Sequence, residues 1–223
     1  MPPRDYTVEA RRRVPAAKKR IEPLIERLEA EHSDAKIALR FSSDVELLVA
    51  VMLSAQTPDV NVNRVTERLF AKYRRPDDYL AVAPEELERD IFATGFYRQK
   101  ARSIRGAMAA LVEQHEGRVP RSVEDLVRLP GVGRKTANVV AAELGEAQGI
   151  VVDTHVRRLS QRLDLSREQD PVKIERDLMR LVPREQWRLF PHLLIWHGRR
   201  VCDARRPVCD RCVVSDLCPS SRE

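Results

Sequence analysis

The stretch Leu129-Pro130-Gly131-Val132-Gly133-Arg134-Lys135 constrains this chain more than any other. Helical patterning stands on both sides of it, and two glycines separated by one residue allow a reversal that a Cβ would forbid. The sequence therefore predicts two helices joined by a tight hairpin. The second helix begins after Gly133, with unpaired N–H groups and the positive end of its dipole directed outward, a pairing of features that suits a phosphate. Such a contact positions a protein without reading base sequence. An ordinary helix-turn-helix connection would use the same glycines, but Arg134 and Lys135 at the helix start weigh toward phosphate. Lys135 carries a second message. Of 40 basic residues only seven are lysines. Arginine serves solubility and phosphate contact but stays protonated, whereas a lysine amine can lose its proton and form a Schiff base. Lys135 is thus a candidate nucleophile.

Helical signals recur along the chain with almost no period-two alternation. Ser43-Asp44-Val45-Glu46 has the form of a capping box, and the all-round apolar run from Val45 to Gln56 predicts a buried helix. Thr57-Pro58 predicts an N-cap and first-turn proline for a helix to Ala71, and Pro84 opens a short helix toward Phe92. A long amphipathic segment runs from Tyr97 to His115 and stops at Gly117. Ser122 caps a short helix ending at Leu129-Pro130. Asp170-Pro171 and Pro183-Arg184 start two more, the latter carrying Trp187, Phe190, Leu194 and Trp196, with both tryptophans read as core. Ile150 to Val152 is too short to imply a sheet. The fold class is all-α, and no linker marks a domain boundary.

A length of 223 residues suffices for one large or two small domains, and a net charge of +6 with pI near 9.4 favours a polyanionic partner, nucleic acid ahead of an anionic membrane. No run approaches the roughly 20 apolar residues of a membrane span. The N-terminus lacks the apolar core of a secretory signal, so the expected location is the cytosol. Residues 1–20 hold seven Arg or Lys against two acids and are expected to form a basic extension, either solvated or adding attraction to DNA.

All four cysteines, Cys202, Cys209, Cys212 and Cys218, fall in one C-x6-C-x2-C-x5-C cluster. In a cytosolic protein this spacing points to metal ligation rather than disulfides. Tetrahedral zinc and a 4Fe-4S cluster both accept four thiolates, and spacing leaves both open. The loop between the first two cysteines is basic, with Arg205 and Arg206. Asp153 ends an apolar run before Thr154-His155-Val156, where an aspartate is a natural N-cap. A cap would fix its carboxylate in place for chemistry.

Taken in order, these motifs closely resemble the endonuclease III family of DNA base excision repair glycosylases. Leu129 to Val140 resembles its helix-hairpin-helix, Val152 to His155 its catalytic aspartate segment, the cysteines its iron–sulfur ligands, and LSAQTPDVNVN from Leu53 to Asn63 its LSAQ segment. The resemblance extends from Ile21 to Cys218. It implies two helical domains with a DNA-binding cleft between them: a six-helix domain of residues 37–147, and an iron–sulfur cluster domain joining 21–36 to 148–223. It also implies a structural 4Fe-4S cluster, with Lys135 as nucleophile, Asp153 as its assisting carboxylate, and Gln56 filling the gap left by an extruded nucleotide. Gly131, Gly133, His155, Arg205 and Arg206 are expected DNA contacts. Phe96 stands where the family commonly has a smaller aliphatic wedge. Pro58 is a second departure, beside Asp59 at the rim of the damage pocket.

The function so implied is a bifunctional DNA glycosylase/AP lyase, monomeric, acting on oxidised pyrimidines such as thymine glycol in damaged double-stranded DNA. A monofunctional relative usually carries Tyr or Ser in place of Lys135, and a non-catalytic zinc protein would need neither Lys135 nor Asp153.

Overall fold

A computed structural model describes residues 14–222, and among these residues there is no strand. The chain divides into two compact units: a continuous one, Ala38–Gln148, and a discontinuous one that joins the chain up to Ile37 with Gly149 onward. Helix α1 (Ala17–Glu31) belongs to the discontinuous unit. The continuous unit holds α2 (Asp44–Leu53), α3 (Asp59–Lys72), α4 (Pro76–Ala81), α5 (Pro84–Asp90), α6 (Tyr97–His115), α7 (Val123–Leu126) and α8 (Arg134–Glu143). A 3-10 turn, Phe92–Thr94, precedes α6. The discontinuous unit resumes with α9 (Thr154–Arg162), α10 (Pro171–Leu181) and α11 (Leu189–Arg200). The continuous unit thus has seven α-helical segments where the resemblance implies six, two of them only six and four residues long.

In the continuous unit α2 is the core: every residue from Glu46 to Leu53 is buried, and the helix packs on α3, α6 and α8. Ser43 accepts from the Glu46 N–H, as a capping residue should, while the Glu46 carboxylate takes the N–H and hydroxyl of Ser42. The helix ends at Leu53, three residues before its expected end at Gln56. Ser54 turns its hydroxyl back to Val51 O, and Gln56 takes a left-handed φ of 55° that no helix continues through. Thr57 does not cap the next helix either. Pro58 occupies the N-cap position of α3, and the Thr57 hydroxyl points inward to Thr94 O, a tertiary bond that outcompetes local capping. Helix α4 escaped sequence reading because six residues are too few to show a period. Arg105 of α6 holds it by donating to Tyr79 O and Val82 O, carbonyls left over at its C-terminus.

In the discontinuous unit Ile21, Leu24, Ile25 and Leu28 form one stripe of α1 and pack with Leu159 and Leu163, Ile174 and Leu178, and Phe190, Leu193 and Leu194. The stretch after Pro183 is a 3-10 turn, Arg184–Gln186, followed by α11, rather than one helix. Trp187 packs against this core. Trp196 does not belong to it: its ring lies 4.3 Å from the Arg200 guanidinium and its Nε1–H reaches Lys36 O at 2.9 Å. Of the basic extension, residues 1–13 lie outside the described residues. Lys18, Lys19 and Arg20 stand in the first turns of α1. Arg20 is only 2% exposed and donates to Pro15 O, Leu217 O and Leu163 O. Removing it strands two carbonyls far apart in sequence. Arg20→Leu is expected to lower the unit's stability by about 2–4 kcal/mol, from the cost of unpaired buried acceptors; urea unfolding checks this, and an unchanged midpoint would refute it.

Candidate active site

The hairpin sits against α6 with no space to spare. A Cβ at Gly131, where φ is +76°, would lie 2.4 Å from Ser103 Cβ, and one at Gly106 would lie 2.9 Å from Pro130 Cβ. Only glycine at both positions allows this approach. The close fit fixes where α8 starts. Gly133 is its N-cap and supplies no side-chain cap, so the first-turn N–H groups and the dipole end are left to a ligand or solvent. Lys135 is exposed in that first turn, beside Arg134.

Two further residues named from sequence lie near the hairpin. Gln56 and Phe96 are both exposed, and both adopt left-handed backbone, with φ of 55° and 47°. For residues with a Cβ that geometry costs about 1–2 kcal/mol each, so the surrounding structure must enforce it. Together with Met52, Gln99, Ser103 and Gly131 they line one concave surface, floored by Lys100. Asp59, in the first turn of α3, does not line it.

In the discontinuous unit Asp153 is the N-cap of α9: its Oδ1 accepts the Val156 N–H at 2.7 Å. Capping uses one carboxylate oxygen and holds the group half-buried at a helix N-terminus, where negative charge is favoured. His155 is half-buried, with Nδ1 3.2 Å from Arg158 Nη2. Burial lowers its pKa first, and Arg158 and Arg199 lower it further against Asp153 and Asp203. A Cβ on Gly198 of α11 would meet that ring's Nδ1 at 2.8 Å, so the Nδ1 edge of His155 is packed at the crossing of α9 and α11.

All four cysteines are free thiols and line one cavity, whose apolar walls include Leu159, Val201, Val208 and Val214. Cys202 Sγ accepts from Arg162 Nη1 at 3.2 Å, and Cys212 Sγ lies 3.4 Å from His197 Nε2. His197 is buried beside His32, and burial holds its pKa near 4, so it is neutral at pH 7. Burial also pushes the Cys212 thiol up to about 11 and the Cys218 thiol up to about 12. Metal or cluster binding must therefore displace protons. The loop after Cys202 is built for display: Asp203 Oδ1 accepts the backbone N–H of Arg205 and of Arg206, and both side chains are exposed.

With this geometry the comparisons with known proteins agree. Residues 49–184 match the family model of the HhH-GPD superfamily base excision DNA repair proteins, and residues 202–218 that of the iron–sulfur binding domain of endonuclease III. The endonuclease III of Synechocystis sp. is 45% identical over 95% of this chain and 97% of its own length, and that of Bacillus subtilis 47% identical over 90% and 92%. A solved non-covalent endonuclease III–DNA complex superposes with a TM-score of 0.86 at 44% identity, covering 92% of this chain and 96% of that one. A trapped endonuclease III–DNA covalent intermediate gives 0.84 at 44%, covering 92% and 97%. The chain belongs to the endonuclease III family.

The endonuclease III cofactor, a 4Fe-4S cluster, fits the donor set found here. The four thiols line one cavity, Arg162 Nη1 donates to Cys202 Sγ, and His197 Nε2 lies 3.4 Å from Cys212 Sγ, a set of four sulfur ligands that a 4Fe-4S cluster accepts. Sequence reasoning found the cysteines but missed Arg162, which also donates to Asp203 O and Ala204 O and so ties the basic loop to α9. It missed Lys100 as well, because its three acceptors lie on segments brought together only by the fold.

Gly131→Ala is expected to destabilise the hairpin by about 1–3 kcal/mol, because a Cβ must be accommodated at positive φ against Ser103. DNA affinity should fall with it. Adding Ser103→Gly should restore part of the loss, the steric part, while the strain at φ remains; thermal unfolding of the parent and the two variants measures both.

Proposed function

We propose that the chain is a bifunctional DNA glycosylase/AP lyase that removes oxidised pyrimidines of the thymine glycol type from duplex DNA, with Lys135 as nucleophile and Asp153 as assisting carboxylate. The observation that carries this reading is Lys135 on the uncapped first turn of the hairpin's second helix, in a chain of the endonuclease III family. The hairpin N–H groups at Gly131 and Gly133 take a backbone phosphate. Gln56 and Phe96 enter the duplex as the damaged nucleotide rotates out, a step that costs a few kcal/mol and less for a poorly stacked base. Phe96, larger than the family's usual aliphatic wedge, supports the opposite strand by stacking. Arg205 and Arg206 add phosphate contacts. His155, two residues after Asp153 and packed on Arg158, contributes on the DNA-facing side of the same helix start, and Asp59 is assigned to the damage pocket from the resemblance alone.

The neutral amine of Lys135 adds at C1′ while the glycosidic C–N bond breaks and its electron pair leaves with the base. Asp153 stabilises the positive charge that develops on the sugar and accepts the proton shed by the amine. The C1′–O4′ bond then opens: the nitrogen lone pair forms the C=N bond, the C–O electron pair goes to O4′, and O4′ takes the proton held by Asp153. In the resulting Schiff base the C2′ proton is acidic. Its removal expels the 3′ phosphate by β-elimination, and hydrolysis returns the lysine. Cys202, Cys209, Cys212 and Cys218 would hold the cluster, which supplies structural cross-linking of the C-terminal loop rather than hydrolytic chemistry.

We further assign the continuous unit to DNA positioning, the discontinuous one to the cluster, and the whole to a monomer in the bacterial cytosol or nucleoid. No described helix is long and apolar enough to cross a membrane, and the curated relatives come from bacteria.

Asp153→Asn separates structure from chemistry, since asparagine caps a helix as well as aspartate does. Its thermal stability should stay near the parent's, while single-turnover base release falls by about 10²–10⁴-fold, the range of a lost acid–base group. Lys135→Ala should bind the damaged duplex yet neither release base nor cut the strand. Base release that survives in Lys135→Ala without strand scission would instead indicate a hydrolytic, monofunctional enzyme.

A further inference from the structure

Lys100 is 7% exposed and has no carboxylate partner among its hydrogen bonds. Its ammonium spends all three donors on Leu53 O, Thr57 Oγ1 and Thr94 O, at 2.8, 2.8 and 2.9 Å. Leu53 is the last residue of α2 and Thr94 the last of the 3-10 turn, so the cation sits where two helical segments present their negative ends. Burial lowers its pKa, as expected for a charge kept by dipoles alone. The Thr57 hydroxyl, in turn, donates to Thr94 O and closes the knot.

What the knot encloses is specific. Leu53 and Thr57 bracket Gln56, and Thr94 stands two residues before Phe96, the two left-handed residues of the concave surface. One amine thus joins the two loops within three residues of each left-handed turn.

We propose that Lys100 is a positioning residue for lesion extrusion: by tying residues 53, 57 and 94 together it holds Gln56 and Phe96 in the conformations that enter the duplex. This rests on the reading that those two side chains make the insertion. With Lys100 lost, both loops relax toward ordinary backbone, and the inserting side chains no longer arrive together.

The test is the single-turnover rate of thymine glycol excision in four proteins: the parent, Lys100→Met, the double variant Gln56→Ala/Phe96→Ala, and all three changes combined. Lys100→Met is expected to slow excision about tenfold, within the range that small misplacement of a positioning group produces. On the double-variant background the same change should cost nothing further, because the groups it positions are gone. An equal tenfold loss on both backgrounds, or no loss in the parent, overturns the proposal. A double variant as fast as the parent overturns the insertion reading itself, whatever Lys100 does. Thr57→Val, which removes the shared hydroxyl but keeps its shape, serves if Lys100→Met does not fold: it should slow excision with the same dependence on background, and Thr57→Ser should restore the rate. Absorbance near 400 nm and thermal unfolding check that each variant keeps its cluster and fold.

Discussion

One face of helix α6 sets the geometry of the continuous unit's functional loops. Lys100, Ser103 and Gly106 follow at intervals of three, so they share a side of the helix. Lys100 grips the loops of Gln56 and Phe96, Ser103 abuts Gly131, and Gly106 admits Pro130. Three segments that are irregular by necessity thus take their positions from one rigid element, 19 residues long and anchored by buried Ile104, Ala107, Met108 and Leu111. Strain at Gln56 and Phe96 persists because a helix that cannot yield holds both sides of it. Placing these loops on one rod keeps the hairpin N–H groups, Gln56 and Phe96 in fixed register, which the proposed chemistry requires.

The discontinuous unit solves a different problem, joining sequence-distant segments around a cluster. Charged side chains do this by donating to backbone carbonyls. Arg20 links α1 to the end of α9 and to the residue before Cys218, and Arg162 runs from α9 to Cys202, Asp203 and Ala204. A guanidinium with five donors and fixed planar geometry can satisfy several carbonyls at once, which an ammonium on a flexible stem does less well. Arginine is therefore the connector of this unit.

The glycines of the hairpin, the Asp153 cap and the long helix from Tyr97 to His115 were legible in the sequence because each depends on local rules. Its errors arose where a distant partner prevailed. Thr57 looks like an N-cap until Thr94 and Lys100 claim its hydroxyl. The apolar run to Gln56 looks continuous, yet Gln56 is drawn into left-handed backbone. Trp196 looks like core from its spacing, but Arg200 covers it at the surface. Lys100 itself was hidden for the same reason: nothing in FYRQK reveals that its amine ends between two helix termini. The cysteine spacing leaves zinc and iron–sulfur open, and the match of residues 202–218 to the iron–sulfur binding domain of endonuclease III decides between them.

The central claim, that a single lysine performs both base release and strand scission, is tested most directly by borohydride reduction during turnover on duplex DNA bearing one thymine glycol, followed by mass spectrometry of the digested adduct. A covalent protein–DNA product whose modified peptide contains Lys135 is expected. An adduct on another amine, or base release with no adduct in a protein that retains its cluster, would contradict it.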